Sequence, residues 1–217
     1  MDEQRWVEGR GIEVTGRGVV AGTPDVVRVR TAVSALRPTV AQAVADADAA
    51  VRRVREALAA HGVAGRDAST AGLTVAAEQV WDQNTGVARV VGYRSRHDLA
   101  VTVRDLSALG AVLGEALLAG GDEAVLDSVG FEVDDETPLR ALARELAWRD
   151  ALARGSQLAA LAGRSTGALL DLVEAPYGGA PVQTYAPAAL KAGGADLAVE
   201  PGSVLVEVVL TARWSVV

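Results

Sequence analysis

Cysteine is absent from this 217-residue chain, which excludes a disulfide scaffold, a thiolate nucleophile and a thiolate metal site. Lysine is almost absent: Lys191 is the only one, and every other basic side chain is arginine. With so many alanines and valines, this reads as the coding bias of a GC-rich genome rather than as guanidinium chemistry. Also missing is any uninterrupted apolar run of about 18 or more residues, so no membrane-crossing helix is expected. The start, MDEQRWVEGRG, has no apolar stretch of the kind a secretory leader carries. On these absences a cytoplasmic location without membrane contact is expected. A net charge of −7 argues against nucleic-acid binding, which favours a basic surface.

What remains is half hydrophobic and 23% charged, the balance of a globular protein long enough to bury a substantial core. No linker or composition shift divides it. One domain over 11–217, behind an N-terminal tail of 1–10, is the expected organisation.

The opening stretch IEVTGRGVVAGTPDVVRVRTAVSAL alternates apolar side chains at Ile12, Val14 and Val20, then at Val27, Val29, Val33 and Ala35. With Gly22-Thr23-Pro24-Asp25 between the two arms, it reads as a β-hairpin. A helix follows over 38–61, with Pro38 in its first turn, an apolar stripe of Val40, Val44, Ala47, Val51, Val54 and Leu58, and Gly62 as its stop. Two strands come next, through Leu73, Val75 and Ala77 towards Trp81, and over 87–104. The second is long enough to predict a bulge near Gly92 or Ser95.

Beyond it the spacing predicts a helix at 105–119, a strand at about 124–133, and a helix from Thr137-Pro138 to about Ala162. Strands around Leu169–Val173 and over 203–217 complete the pattern. The fold class is therefore α+β: an antiparallel or mixed sheet packed by long helices, loosely duplicated as β-β-α-β-β and α-β-α-β-β. The stretch 176–202, rich in glycine, proline and alanine, is expected to be a disordered loop or a partner-contacting arm.

Five stretches in this order carry a resemblance. They are IEVTGRGVVAGTPDVVRV at 12–29, Gly62 with the segment from Asp67 to Leu73, YRSRHDLAVTVRDL at 93–106, Trp148-Arg149-Asp150-Ala151, and EPGSVLVEVVLTARW at 200–214. Over nearly its whole length the chain resembles the SIMPL domain family, long catalogued as a domain of unknown function. The resemblance implies an α+β fold and a tendency towards assembly. It brings no established catalytic residues.

Candidate chemistry is sparse. Val14-Thr15-Gly16-Arg17-Gly18 lies inside a strand arm and does not complete G-x-G-x-x-G, so its glycines read as permitting a bulge or a close backbone approach rather than as a phosphate loop. His61 and His97 have no partner at ligand spacing and read as structural. Asp134-Asp135-Glu136 precede a helix and read as its electrostatic cap. No G-x-S-x-G elbow is present. No catalytic residue, metal site or cofactor is expected, and the protein reads as a non-enzyme.

Two surfaces remain. Arg28, Arg30, Arg94 and Arg96 fall on one sheet face, where Glu13, Glu78 and Asp98 could interleave with them as cross-strand pairs. This face is the candidate site for a small anion or a partner. Trp6, Trp148, Tyr177, Tyr185 and Trp214 are candidate interface residues. The leading expectation is a self-assembling homo-oligomer or protein-interaction scaffold. The alternative is a binding module for a small anionic ligand on the arginine face.

Overall fold

A computed structural model of the chain describes residues 11–83, 86–175, 182–183 and 202–217. Among the described residues the strands are β1 (Gly11–Gly22), β2 (Val26–Arg37), β3 (Ala68–Asp82), β4 (Val87–Val103), β5 (Ala124–Glu132), β6 (Thr166–Glu174), β7 (Val182–Gln183) and β8 (Val204–Val216). The helices are α1 (Val40–Ala60), α2 (Leu109–Gly120) and α3 (Thr137–Leu161). The fold is α+β, with two antiparallel sheets. The tail at 1–10 and most of the stretch 176–202 lie outside the described residues, as do Trp6, Tyr177 and Tyr185.

The chain divides into two compact units. The described part of the first is 11–23, 133–175, 182–183 and 202–217, and of the second 24–83 and 86–132. This division corrects the hairpin reading of residues 12–36. β1 pairs with β8, whereas β2 pairs with β4 and β5. Alternation identified two strands, but period 2 says nothing about which strand lies beside which. The segment Gly22-Thr23-Pro24-Asp25 is a crossing between units, and the Asp25 N–H already donates to Glu132 O across 3.1 Å in the second unit.

In the second unit the strand order is β3-β4-β2-β5. Val27, Val29, Val33 and Ala35 of β2 and Leu99, Val101 and Val103 of β4 point to one face, where α1 and α2 cover them. α1 contributes Ala47, Ala50, Val51, Val54 and Leu58, and α2 contributes Leu109, Val112, Leu113 and Ala116. Each such valine or leucine taken from water contributes about 1.5–3 kcal/mol before conformational entropy is set against it. α1 starts later than its proline suggested. Thr39 is the N-cap, its Oγ1 accepting the Gln42 N–H at 3.3 Å, and Pro38 lies outside the helix. Opposite β4 the register shifts between Glu78 and Gln79, which leaves Val91 unmatched next to Gly92, the expected bulge.

In the first unit β8 is the central strand, with β1 on one side and β6 on the other, and β7 pairs with the start of β8. Val204, Val206, Val208, Leu210, Ala212 and Trp214 are buried at alternate positions of β8. α3 lies on the face that carries Val14, Val208, Leu210, Ala212 and Trp214. Its ridge Ala143, Ala147, Ala151, Gly155 and Ala159 is buried throughout. Small residues at every fourth position let the helix backbone come close to the sheet.

Candidate functional site

The four candidate arginines do share a face. Arg28 and Arg30 lie opposite Thr102 and Ala100, and Ser34 and Leu36 lie opposite Arg96 and Arg94, all on the side of the sheet away from α1 and α2. Three of the guanidiniums are already matched. Arg28 Nε donates to Glu132 at 3.0 Å, and Arg94 Nε donates to Glu78 at 3.0 Å. Arg96 bridges Asp98 at 2.7 Å and Asp127 at 2.6 Å, and these carboxylates hold its pKa above the ordinary arginine value. Among the described residues Arg30 has no ion pair. The face is thus a lattice of internal salt bridges. An incoming anion would compete with carboxylates already in place.

The histidines and the acidic run have contacts within the fold. His61 is the C-cap residue of α1. His97 is buried under α1, with Nε2 3.4 Å from Asp48 Oδ1. Asp135 Oδ1 accepts the Thr137 N–H at 2.9 Å, and Glu136 pairs with Arg140 at 2.8 Å, so this acidic run organises the start of α3. Among the described residues no group of three or more His, Asp or Glu side chains could hold a metal ion, and no helix is long and apolar enough to cross a membrane.

The glycines of Val14-Thr15-Gly16-Arg17-Gly18 serve the contact between α3 and β1. A Cβ at Gly16 would run into the Ala147 carbonyl oxygen, and one at Gly18 into that of Ala143. Polar contacts seal the junction. Asp150 Oδ2 accepts the Arg17 N–H at 2.9 Å, and Arg154 Nη1 donates to Thr15 O at 3.4 Å. The Arg17 N–H, aided by Arg154, holds the Asp150 carboxyl below the usual aspartate range. The run Trp148-Arg149-Asp150-Ala151 now has a physical reading: Asp150 and Ala151 meet β1, while Trp148 leans on Trp214 with ring centroids 5.8 Å apart.

Placing α3 over β1 and β8 leaves β6 uncovered. Leu169, Leu170, Leu172 and Val173 are all exposed. Beside α3 lies a groove of about 420 Å³ lined by Ala141, Arg144, Glu145, Trp148, Leu172, Glu174 and Leu210. The bidentate pair of Arg144 with Glu174, at 2.6 and 2.9 Å, forms part of its wall. Trp148 is half-buried at this groove. Trp214 is only 4% exposed, so it is a core residue and not a surface contact, which corrects its place among the interface candidates.

An exposed tryptophan that the interface candidates omitted is Trp81, in the other unit. β2 pairs with β4 only from Tyr93 onward, so Glu78–Asp82 and Val87–Gly92 project as a two-stranded ribbon. Val80 and Val87 lie on one face of it, and Trp81 and Val90 on the other, all four exposed. The signal was present in the sequence as the alternation of Leu73, Val75 and Ala77 running towards Trp81.

Residues 12–214 match the model of the SIMPL family, described as a protein of unknown function (DUF541). The chain belongs to this family. It is similar to the 26 kDa periplasmic immunogenic protein of Brucella melitensis, with 25% identity over 80% of this chain and 70% of that protein. The protein of the same name in Brucella abortus matches to the same extent. The uncharacterized protein YggE of Edwardsiella ictaluri is 30% identical over 70% of this chain and 62% of its own length. The two Brucella names overturn the expected cytoplasmic location. That expectation rested on the lack of an apolar leader within 1–11, and a missing signal does not fix a compartment.

Proposed function

We propose that this SIMPL-family chain is a non-catalytic scaffold that associates with itself or with a partner protein, and that it works in the periplasm, as the names of its Brucella relatives suggest. The observation that supports this most is the ribbon of Glu78–Asp82 and Val87–Gly92. A two-stranded ribbon in water is marginal by itself, and this one holds Trp81 at 64% exposure and Val87 at 60% with, among the described residues, no third strand beside them. Apolar side chains on both faces of a projecting ribbon suit a surface that is covered in an assembly.

The test is the mass of the chain by light scattering at micromolar concentration. The expected result is a defined multimer that the double variant Trp81→Arg, Val87→Arg reduces. A strict monomer across that range overturns self-association.

Anion binding on the arginine face ranks second, because among the described residues Arg30 alone of the four candidates has no ion pair. It predicts a rise in melting temperature with a small anion that is lost in Arg30→Ala and Arg96→Ala. No shift across a panel of phosphate, sulfate and dicarboxylates removes it.

A further inference from the structure

The second unit presents an apolar projection and the first unit an apolar hollow. In the ribbon of Glu78–Asp82 and Val87–Gly92, Gln79 lies opposite Val90 and Trp81 opposite Ala88, so these four side chains share one face. None of the four is charged, and all are exposed. The other face sets Val80 opposite Arg89 and Asp82 opposite Val87, and so mixes apolar with charged side chains.

The hollow is the groove of about 420 Å³ beside α3. It reaches down to Leu210, a core residue, between Ala141 and Trp148 of α3 and Leu172 of β6. Three charged side chains line it, and each has a partner within the unit. Arg144 holds Glu174 at 2.6 and 2.9 Å, and Glu145 accepts from Arg149 at 3.2 Å. With its own charges matched, the groove has no counter-charge to offer, and a charged insert would lose its hydration without compensation. An uncharged apolar insert suits it. The Trp81 face of the ribbon is one, and the face with Asp82 and Arg89 is not.

We propose that the ribbon of one copy of this chain seats its Trp81 face in the Trp148 groove of a second copy. This rests on the self-association reading above and names what the ribbon meets. Every chain carries one projection and one groove, so a single species covers both in equal number. An indole against Trp148 adds an aromatic pair to the burial of Val90 and Leu172. The contact joins two unlike surfaces. Exchanged reciprocally it closes a twofold pair, and passed on head to tail it builds a ring or a filament.

Because the chain has no cysteine, two single-cysteine variants together report the contact cleanly. Ala88→Cys, on the Trp81 face, and Ala141→Cys, in the groove, both at exposed positions, are co-expressed as full chains, one marked by an affinity tag, and oxidised mildly. The reference pair is Ala88→Cys with Leu118→Cys, on α2 and 77% exposed. A seated ribbon raises the effective concentration of the two thiols, so the first pair is expected to form the mixed covalent dimer about ten-fold or more faster than the reference. Ala141→Trp, which fills the groove from an exposed helix position, is expected to have a lower mass than the wild type and the same melting profile. A multimeric wild type whose Ala88→Cys and Ala141→Cys pair links no faster than the reference overturns the ribbon-in-groove contact and leaves the scaffold reading standing. So does an Ala141→Trp variant that keeps the wild-type mass. A monomeric wild type overturns both.

Discussion

The carboxylate of Asp150, on a helix, accepts the backbone N–H of Arg17, on an edge strand, at 2.9 Å. The bond supplies an acceptor for a donor that no neighbouring strand takes, and it explains why an aspartate sits beside the small-residue ridge of α3. Its consequences are measurable.

Replacing Asp150 with alanine is expected to lower the melting temperature at neutral pH. Its folded pKa is depressed, so its stabilisation is present above the ordinary aspartate pKa and is lost as pH falls through the folded value. The gap between wild type and Asp150→Ala should therefore be full at pH 6–7 and shrink below about pH 4. Thermal melts of both proteins over that range check it, and a gap independent of pH would contradict the assignment.

Gly16→Ala and Gly18→Ala should each destabilise the first unit by on the order of 3 kcal/mol, since the added Cβ meets helix backbone that cannot swing away. Gly114→Ala, inside α2 with nothing within 4 Å of its would-be Cβ, should instead stabilise by about 0.5–1 kcal/mol. Urea denaturation midpoints separate the three.

Tryptophan positions should divide sharply. Trp214 is buried against Gly155, where an added Cβ would lie 3.0 Å from its ring, and Trp214→Ala is expected to cost about 3–5 kcal/mol. Trp81→Ala should stay within about 0.5 kcal/mol in the isolated chain. Equal effects in denaturant melts would remove the distinction between core and ribbon.

Asp67 receives two hydrogen bonds from Arg104, at 3.1 and 3.0 Å, which hold its carboxyl below the usual range. Because Arg104 is about half exposed, solvent screening limits the pair to about 1 kcal/mol. Asp67→Asn should lose this at pH 7, and the gap between the two proteins should narrow as pH falls below the ordinary aspartate pKa of about 4 and through the lower folded value. Chemical denaturation of both proteins along that pH series reads the difference.

Much of this architecture was legible in the residues. The stripe of α1, the small-residue ridge of α3 and the strict alternation of β8 each specify a local period, and a local period survives folding. The glycines of 16 and 18 were readable as a close approach because side-chain loss inside a strand needs a backbone neighbour. Partner choice was not readable. Nothing in the alternation of 12–36 shows that Val14 belongs with Leu210 and Ala212 while Val27 belongs with Val101 and Val103. The arginine face was legible as a face, yet its neutralisation by Glu132 and Asp127 depends on β5, whose carboxylates lie 104 positions from Arg28 and 31 from Arg96 in the chain. Trp81 went unchosen because exposure is a property of the strand that is absent beside it.

The order of synthesis follows from β8 being the middle strand of the first unit. Among the described residues β1 has no β partner until Val204–Val216 has been made, whereas the described strands of the second unit all lie within 24–132 and are complete by then. A nascent chain halted before Val204 would therefore carry one finished unit and one pair of outer strands waiting for their centre. The contact of greatest sequence separation is thus also the last to become available, and the growing polypeptide must keep the Gly11–Gly22 segment from pairing elsewhere until then.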